Sequence, residues 1–152
     1  MKNALLLLPF ILLFLSCGVK GKNGSQTAAS STAETLQTEI QKDRIEVLYF
    51  HNPKRCPNCI AIEENTRAAL EEQFSSQLKT GDILFQSVDL SQKENAELIE
   101  KYQAKWSSLF IVGHKNGKST FRNMTLFAFS HARMAPDSFK KEIVKTIQEM
   151  MN

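Results

Sequence analysis

The sequence has no long basic run, no internal repeat and no apolar stretch of membrane-spanning length. Its 19 Lys and Arg residues stand against 16 Asp and Glu, a net charge of +3. That excess is too small and too dispersed for a nucleic-acid-binding face. Lys115 and Lys118 read as the polar side of a turn. The chain also lacks a phosphate loop, a Rossmann glycine pattern and a serine nucleophile elbow, and with them the usual signatures of nucleotide binding and serine hydrolysis. No cofactor is expected. What is present is ordinary for a globular protein, 42% hydrophobic and 23% charged over 152 residues, enough for one domain plus a tail.

Cysteine is scarce but placed with effect. Of three, Cys17 closes an apolar N-terminal run, and Cys56 and Cys59 form a CxxC pair. The odd count is resolved if Cys17 has a separate task. Lys2 gives a positive start, and Ala4 to Leu15 is nearly continuous apolar sequence broken by Pro9. This is the length of a signal-peptide core and too short to span a bilayer. The following Phe14-Leu15-Ser16-Cys17-Gly18 resembles a bacterial lipoprotein signal, with Phe14 and Leu15 departing from its commonest form. That resemblance implies a lipidated Cys17 as first mature residue, anchored without a transmembrane helix. A signal peptide cleaved elsewhere is the alternative.

Composition then shifts. Gly18 to about Gln41 is rich in Gly, Ser, Thr, Ala and Gln and cannot bury enough surface to offset its ordering entropy. We read residues 1–16 as signal peptide, 17–42 as a flexible tether and 43–152 as the folded domain. The expected location is the cell envelope, facing the periplasm and held to a membrane by lipid.

Within the domain, Ile45 to Phe50 is β-branched and aromatic, a largely buried strand ended by His51-Asn52-Pro53. Cys59, Ile62, Thr66, Leu70, Phe74 and Leu78 recur at helical spacing until Gly81. Ile83 to Asp89 is a second strand. Ser91 with Glu94 predicts a capping box for a helix with Ala96, Leu98, Ile99 and Tyr102 on its apolar side. Ser108 to Val112 is a third strand, Asn116-Gly117 a hairpin turn, and Ser119 to Arg122 the returning strand. Pro136 opens a last helix, with Phe139, Ile143, Ile147 and Met150 on its buried face. The order strand, helix, strand, helix, strand, strand, helix predicts an α/β fold, a central mixed sheet of about four strands flanked by helices.

Cys56-Pro57-Asn58-Cys59 then falls between the first strand and its helix. There the helix dipole favours a Cys56 thiolate, Lys54 and Arg55 add positive charge if they point toward it, and Cys59 lies one turn inside as resolving thiol. Pro57 offers no N–H, so the Asn58 and Cys59 amides must serve the sulfur. Half of a zinc site, a structural disulfide and delivery of a thiophilic ion are alternatives. Zinc lacks further clustered ligands here, a two-residue loop closes too little chain to stabilise much, and soft thiolates do suit arsenite or copper(I).

The run Glu46 to His51, then Arg55 to Cys59 and Ile62-Glu63, resembles the thioredoxin superfamily. Val88-Asp89, Trp106-Ser107-Ser108-Leu109-Phe110, Asn123-Met124-Thr125 and Phe127 to Ser130 narrow the resemblance to a small bacterial family named as a nitrophenyl-compound nitroreductase subunit and linked to arsenic-resistance operons. It covers about residues 44–151. It implies a thioredoxin-like fold, and electron transfer through Cys56 and Cys59 with a partner that carries a disulfide or dithiol; nothing in these residues binds flavin or nicotinamide, so any nitro chemistry would occur elsewhere. Two departures stand out. Where thioredoxins carry a cis-proline, this chain has Trp106-Ser107-Ser108, with Ser107 in the proline's place and a trans bond expected. Where they bury an acid, it has Tyr49 and Phe50, which leaves water, His51 or another group to take the Cys59 proton. The extra segment from Asn123 to Met134 reads as a short helix on the core or, with Trp106, Phe127 and Phe129, as the docking face of a non-catalytic subunit. His51 reads as a structural hydrogen-bonding residue or a proton shuttle, and His114 as exposed beside the turn.

Overall fold

The computed structural model describes residues 42–152. The signal segment, Cys17 and all of the tether but Lys42 lie outside the described residues. In order the elements are β1 (Arg44–His51), α1 (Pro57–Thr80), β2 (Ile83–Asp89), a 3-10 turn (Lys93–Asn95), α2 (Ala96–Tyr102), β3 (Ser108–Lys115), β4 (Lys118–Asn123), α3 (Thr125–His131) and α4 (Pro136–Met151). The sheet order is β2-β1-β3-β4. β1 runs parallel to β2 and antiparallel to β3, and β4 pairs antiparallel with β3. This is the expected α/β arrangement: a mixed four-stranded sheet flanked by helices, thioredoxin-like in strand order and in the position of the CxxC.

The central strand explains the core. Alternation sends Ile45, Val47 and Tyr49 to one face and Leu48 and Phe50 to the other. The first face meets Ile62, Leu70 and Phe74 of α1, Ala128 of α3, and Phe139, Ile143 and Ile147 of α4. The second is smaller and is covered by Leu98, Ile99 and Tyr102 of α2. At the end of α1, Gly81 takes φ 76°, a left-handed conformation that glycine adopts without a Cβ penalty. The hairpin turn needs the same region twice, with Asn116 at φ 53° and Gly117 at 71°. α1 breaks its helical geometry at Phe74 (φ −132°, ψ 29°), just before Ser75-Ser76, a pair that tolerates a kink.

Three local expectations are corrected. Ser91 caps no helix: its amide and hydroxyl both donate to Asp89 Oδ1 at 2.8 Å, and Gln92 stands at the N-cap of the 3-10 turn. The short Asp89 loop captures the serine before Glu94 can complete a box. Ala96 is exposed, so the apolar side of α2 is Leu98, Ile99 and Tyr102. His114 is not exposed; its Nε2 lies 3.2 Å from Glu46 Oε2, and its ring Nδ1 is 2.9 Å from Ser119 Oγ. The extended β3–β4 hairpin carries it over the sheet face that holds Glu46.

Candidate functional site

β1 delivers the chain to the CxxC. After His51 the backbone leaves the sheet, and Cys56 becomes the N-cap of α1 with φ −81° and ψ 162°. Pro57 occupies the first helical turn, where its missing N–H costs nothing. The Ile60 amide closes that turn onto the Cys56 carbonyl at 3.0 Å. The Cys59 amide donates to Cys56 Sγ at 3.2 Å. Of the two amides expected to serve the sulfur, the Cys59 amide does so. Both cysteines are free thiols, Cys56 exposed and Cys59 buried.

Around Cys59 the side chains converge. The buried Ser107 comes from the loop before β3, and the Cys59 thiol donates to its Oγ at 3.9 Å. The described peptide bonds are all trans, Ser107's included. Ser108 turns away and donates to the Trp106 carbonyl at 2.9 Å, and the Trp106 side chain is 63% exposed. Below the helix start, the fully buried Tyr49 donates its phenol proton to the Cys59 carbonyl at 2.8 Å. Burial, then the nearby Cys59 sulfur, raises the Tyr49 hydroxyl well above the usual phenol range, so it stays protonated. Burial opposes ionisation of Cys59 as well, but the polar groups around it, Cys56 foremost and then Ser107 and Tyr49, outweigh it and hold that thiol below its ordinary value.

Arg55 does not point at the Cys56 sulfur. Its guanidinium lies over the Tyr49 ring, 5.6 Å from the centroid, and pairs with Glu63. Glu63 also accepts from Arg67 at 3.2 Å. Burial would raise the Glu63 carboxyl, but the bond and charge of Arg55 prevail and lower it. Lys54 is exposed and Asn58 half-buried. His51 stacks on Tyr49 with ring centroids 5.8 Å apart and lies 3.1 Å through Nδ1 from the Asn52 carbonyl. Phe127 and Phe129 pack against the core. The large apolar side chains exposed in their segment are Leu126 and Met134, at 85% and 81%.

Sequence reading thus brought Cys56, Cys59 and Ser107 to one place and missed two contributors. In the sequence Tyr49 reads only as the lack of an acid, and Glu63 only as part of the resemblance. The available signals were a lone hydroxyl in the buried end of the strand and an acid one helical turn after Cys59.

No protein-family model matches this chain, and no curated protein matches it in sequence. Among solved structures it is similar to Trxlp from Edwardsiella tarda EIB202 at 13% identity and TM-score 0.46, over 72% of this chain and 91% of that one. It is similar to a thioredoxin from Thermus thermophilus at 19% identity and TM-score 0.45, over 77% and 82% respectively. Fasciola hepatica thioredoxin gives 22% identity and TM-score 0.46, over 80% and 93%. This chain's own strand order and register define its fold.

Proposed function

We propose that this chain is an envelope thiol–disulfide exchange protein that works with one dedicated partner protein. The observation that carries the reading is the asymmetry of the pair: Cys56 exposed at a helix N-cap, with the Cys59 amide on its sulfur and Cys59 buried one turn inside. In the forward step the Cys56 thiolate attacks a partner disulfide, and one partner thiolate leaves. Cys59 then loses its proton to water and attacks Cys56 Sγ, and the second partner thiolate leaves. The protein dithiol becomes a disulfide, the partner disulfide becomes a dithiol, and two electrons and two protons cross. Exposed apolar side chains at Ile60, one turn after Cys56, and Trp106, next to Ser107, suit a protein partner. The partner is proposed to belong to a nitroreductase-type system, and Cys17 to carry the lipid that holds the domain at a membrane.

A Cys59→Ser variant tests the exchange. It should hold Cys56 in a mixed disulfide, seen as a mass adduct that dithiothreitol removes. No adduct, together with a dithiol that never oxidises, overturns the reading. Tight arsenite or copper(I) binding without disulfide reduction would establish the ion-binding alternative, and full function after replacement of both cysteines by Ser the docking one. Loss of membrane attachment in Cys17→Ser tests the anchor.

A further inference from the structure

The geometry points to Tyr49, held by Arg55, as the residue that positions Cys59 for its attack on Cys56. This rests on the exchange reading and adds a role at the same site. The resolving step needs the Cys59 sulfur to give up a proton while buried, and the group beneath it is a phenol with a single proton to offer. That proton lies on the Cys59 carbonyl at 2.8 Å, which fixes the first turn of α1. The Cys59 thiol itself donates to the buried Ser107 Oγ at 3.9 Å. Tyr49 is therefore a fixed donor and never a base. The Cys59 proton leaves to water, and the thiolate left behind sits on a helix turn that the phenol already holds in place.

Arg55 makes the arrangement rigid. It precedes the CxxC, yet it folds back over the Tyr49 ring and is tied to Glu63 on α1. Its Nε is buried without a hydrogen-bond partner. A cation on the ring face is attracted to it and holds the phenol in its place. Glu63 keeps the cation there rather than at the exposed Cys56. The loop before Cys56, the phenol and the helix thus form one clamp around Cys59, and His51 takes no part beyond stacking on the ring.

The test uses the full chain and oxidised glutathione. The Cys56–glutathione mixed disulfide is formed, and its resolution by Cys59 is followed against pH. Tyr49→Phe keeps the ring and removes the proton. Resolution at pH 7 should slow about tenfold and its midpoint should move up by about one pH unit, the shift equivalent to that factor. Arg55→Ala should move the midpoint the same way by less, and Arg55→Lys should restore part of it. A purely structural loss would alter thermal stability and leave the midpoint in place. An unmoved midpoint in folded Tyr49→Phe overturns the inference. If the wild-type protein forms no mixed disulfide, the exchange reading fails by itself. Direct thiol titration by absorbance at 240 nm still decides the inference then: it stands if Tyr49→Phe raises the Cys59 value and falls if it does not.

Discussion

The two ends of β1 carry the same kinds of side chain and use them differently. At the N-terminal end Lys42 pairs with Asp82 at 3.0 Å, Glu46 sits between Arg44 at 2.7 Å and His114 at 3.2 Å, and Lys115 reaches the last backbone carbonyls. Those contacts join β1, β2, β3 and the C-terminus to each other. At the C-terminal end Glu63 also sits between two cations, Arg55 and Arg67, but that cluster bears on a phenol that donates to the Cys59 carbonyl. There Cys56, Ile60 and Trp106 are exposed. The difference teaches where to look for chemistry in an open sheet with parallel strands: at the carboxyl ends, where loops and a helix start converge. An ion cluster by itself marks neither end as functional.

The largest break of this comparison is the removal of a sulfur. Cys56→Ser should abolish exchange, and Cys59→Ser should stop it at the mixed disulfide, both without unfolding the domain; thiol-trapping gels and a thermal melt check the pair. Next comes the core both ends share. Ile143→Ala opens a cavity against fully buried neighbours and should cost about 3 kcal/mol in urea unfolding. The pH midpoint of resolution should stay where it is. A moved midpoint would mean that the active end reports packing and not its own donors.

Glu63 comes third. Its carboxyl is lowered in the folded protein, so its contribution to stability is complete above the unfolded value, about 4.3, and is lost as the pH falls through the folded value. Glu63→Gln should therefore cost about 1–2 kcal/mol at pH 7, and the gap to wild type should close below about pH 4. Urea unfolding at pH 7 and pH 3 measures it. No gap at pH 7 would show that the charge of Glu63 does not hold Arg55.

Much of this was legible in the sequence. Alternation in Ile45 to Phe50, the helical stripe ending at Gly81 and the Asn116-Gly117 turn are local signals, and each element stands where they place it. The capping box failed because Asp89 competes for Ser91 two residues away, a choice that spacing does not decide. The direction of Arg55 has a longer-range cause. A cation next to a CxxC reads as thiolate support, whereas its position follows from Glu63 eight residues on and from a ring on another element. His114 found its partner through the register of β1 against β3, where Arg44 stands opposite it. Partners set by register or by a fold-back appear only when the strands are laid side by side.

The smallest effect sharpens the comparison most. Glu46→Gln leaves Arg44 an acceptor and removes one charge from a partly buried cluster, so the stability cost should stay near 1 kcal/mol. Glu46 lies five residues before His51, roughly 17 Å at about 3.3 Å per residue. That is about two screening lengths at physiological salt, roughly 8 Å each. The resolution midpoint of the thiol pair should therefore stay within about 0.1 pH unit of wild type at that ionic strength. Lowering the salt to about 10 mM lengthens the screening to roughly 30 Å, and a small shift should then appear. Removing a carboxylate disfavours protonated states nearby, so that shift is toward lower pH. A midpoint that moves as much for Glu46→Gln as for Glu63→Gln at physiological salt would mean that the two ends of β1 are one electrostatic unit and that the Arg55 clamp has no special hold on Cys59.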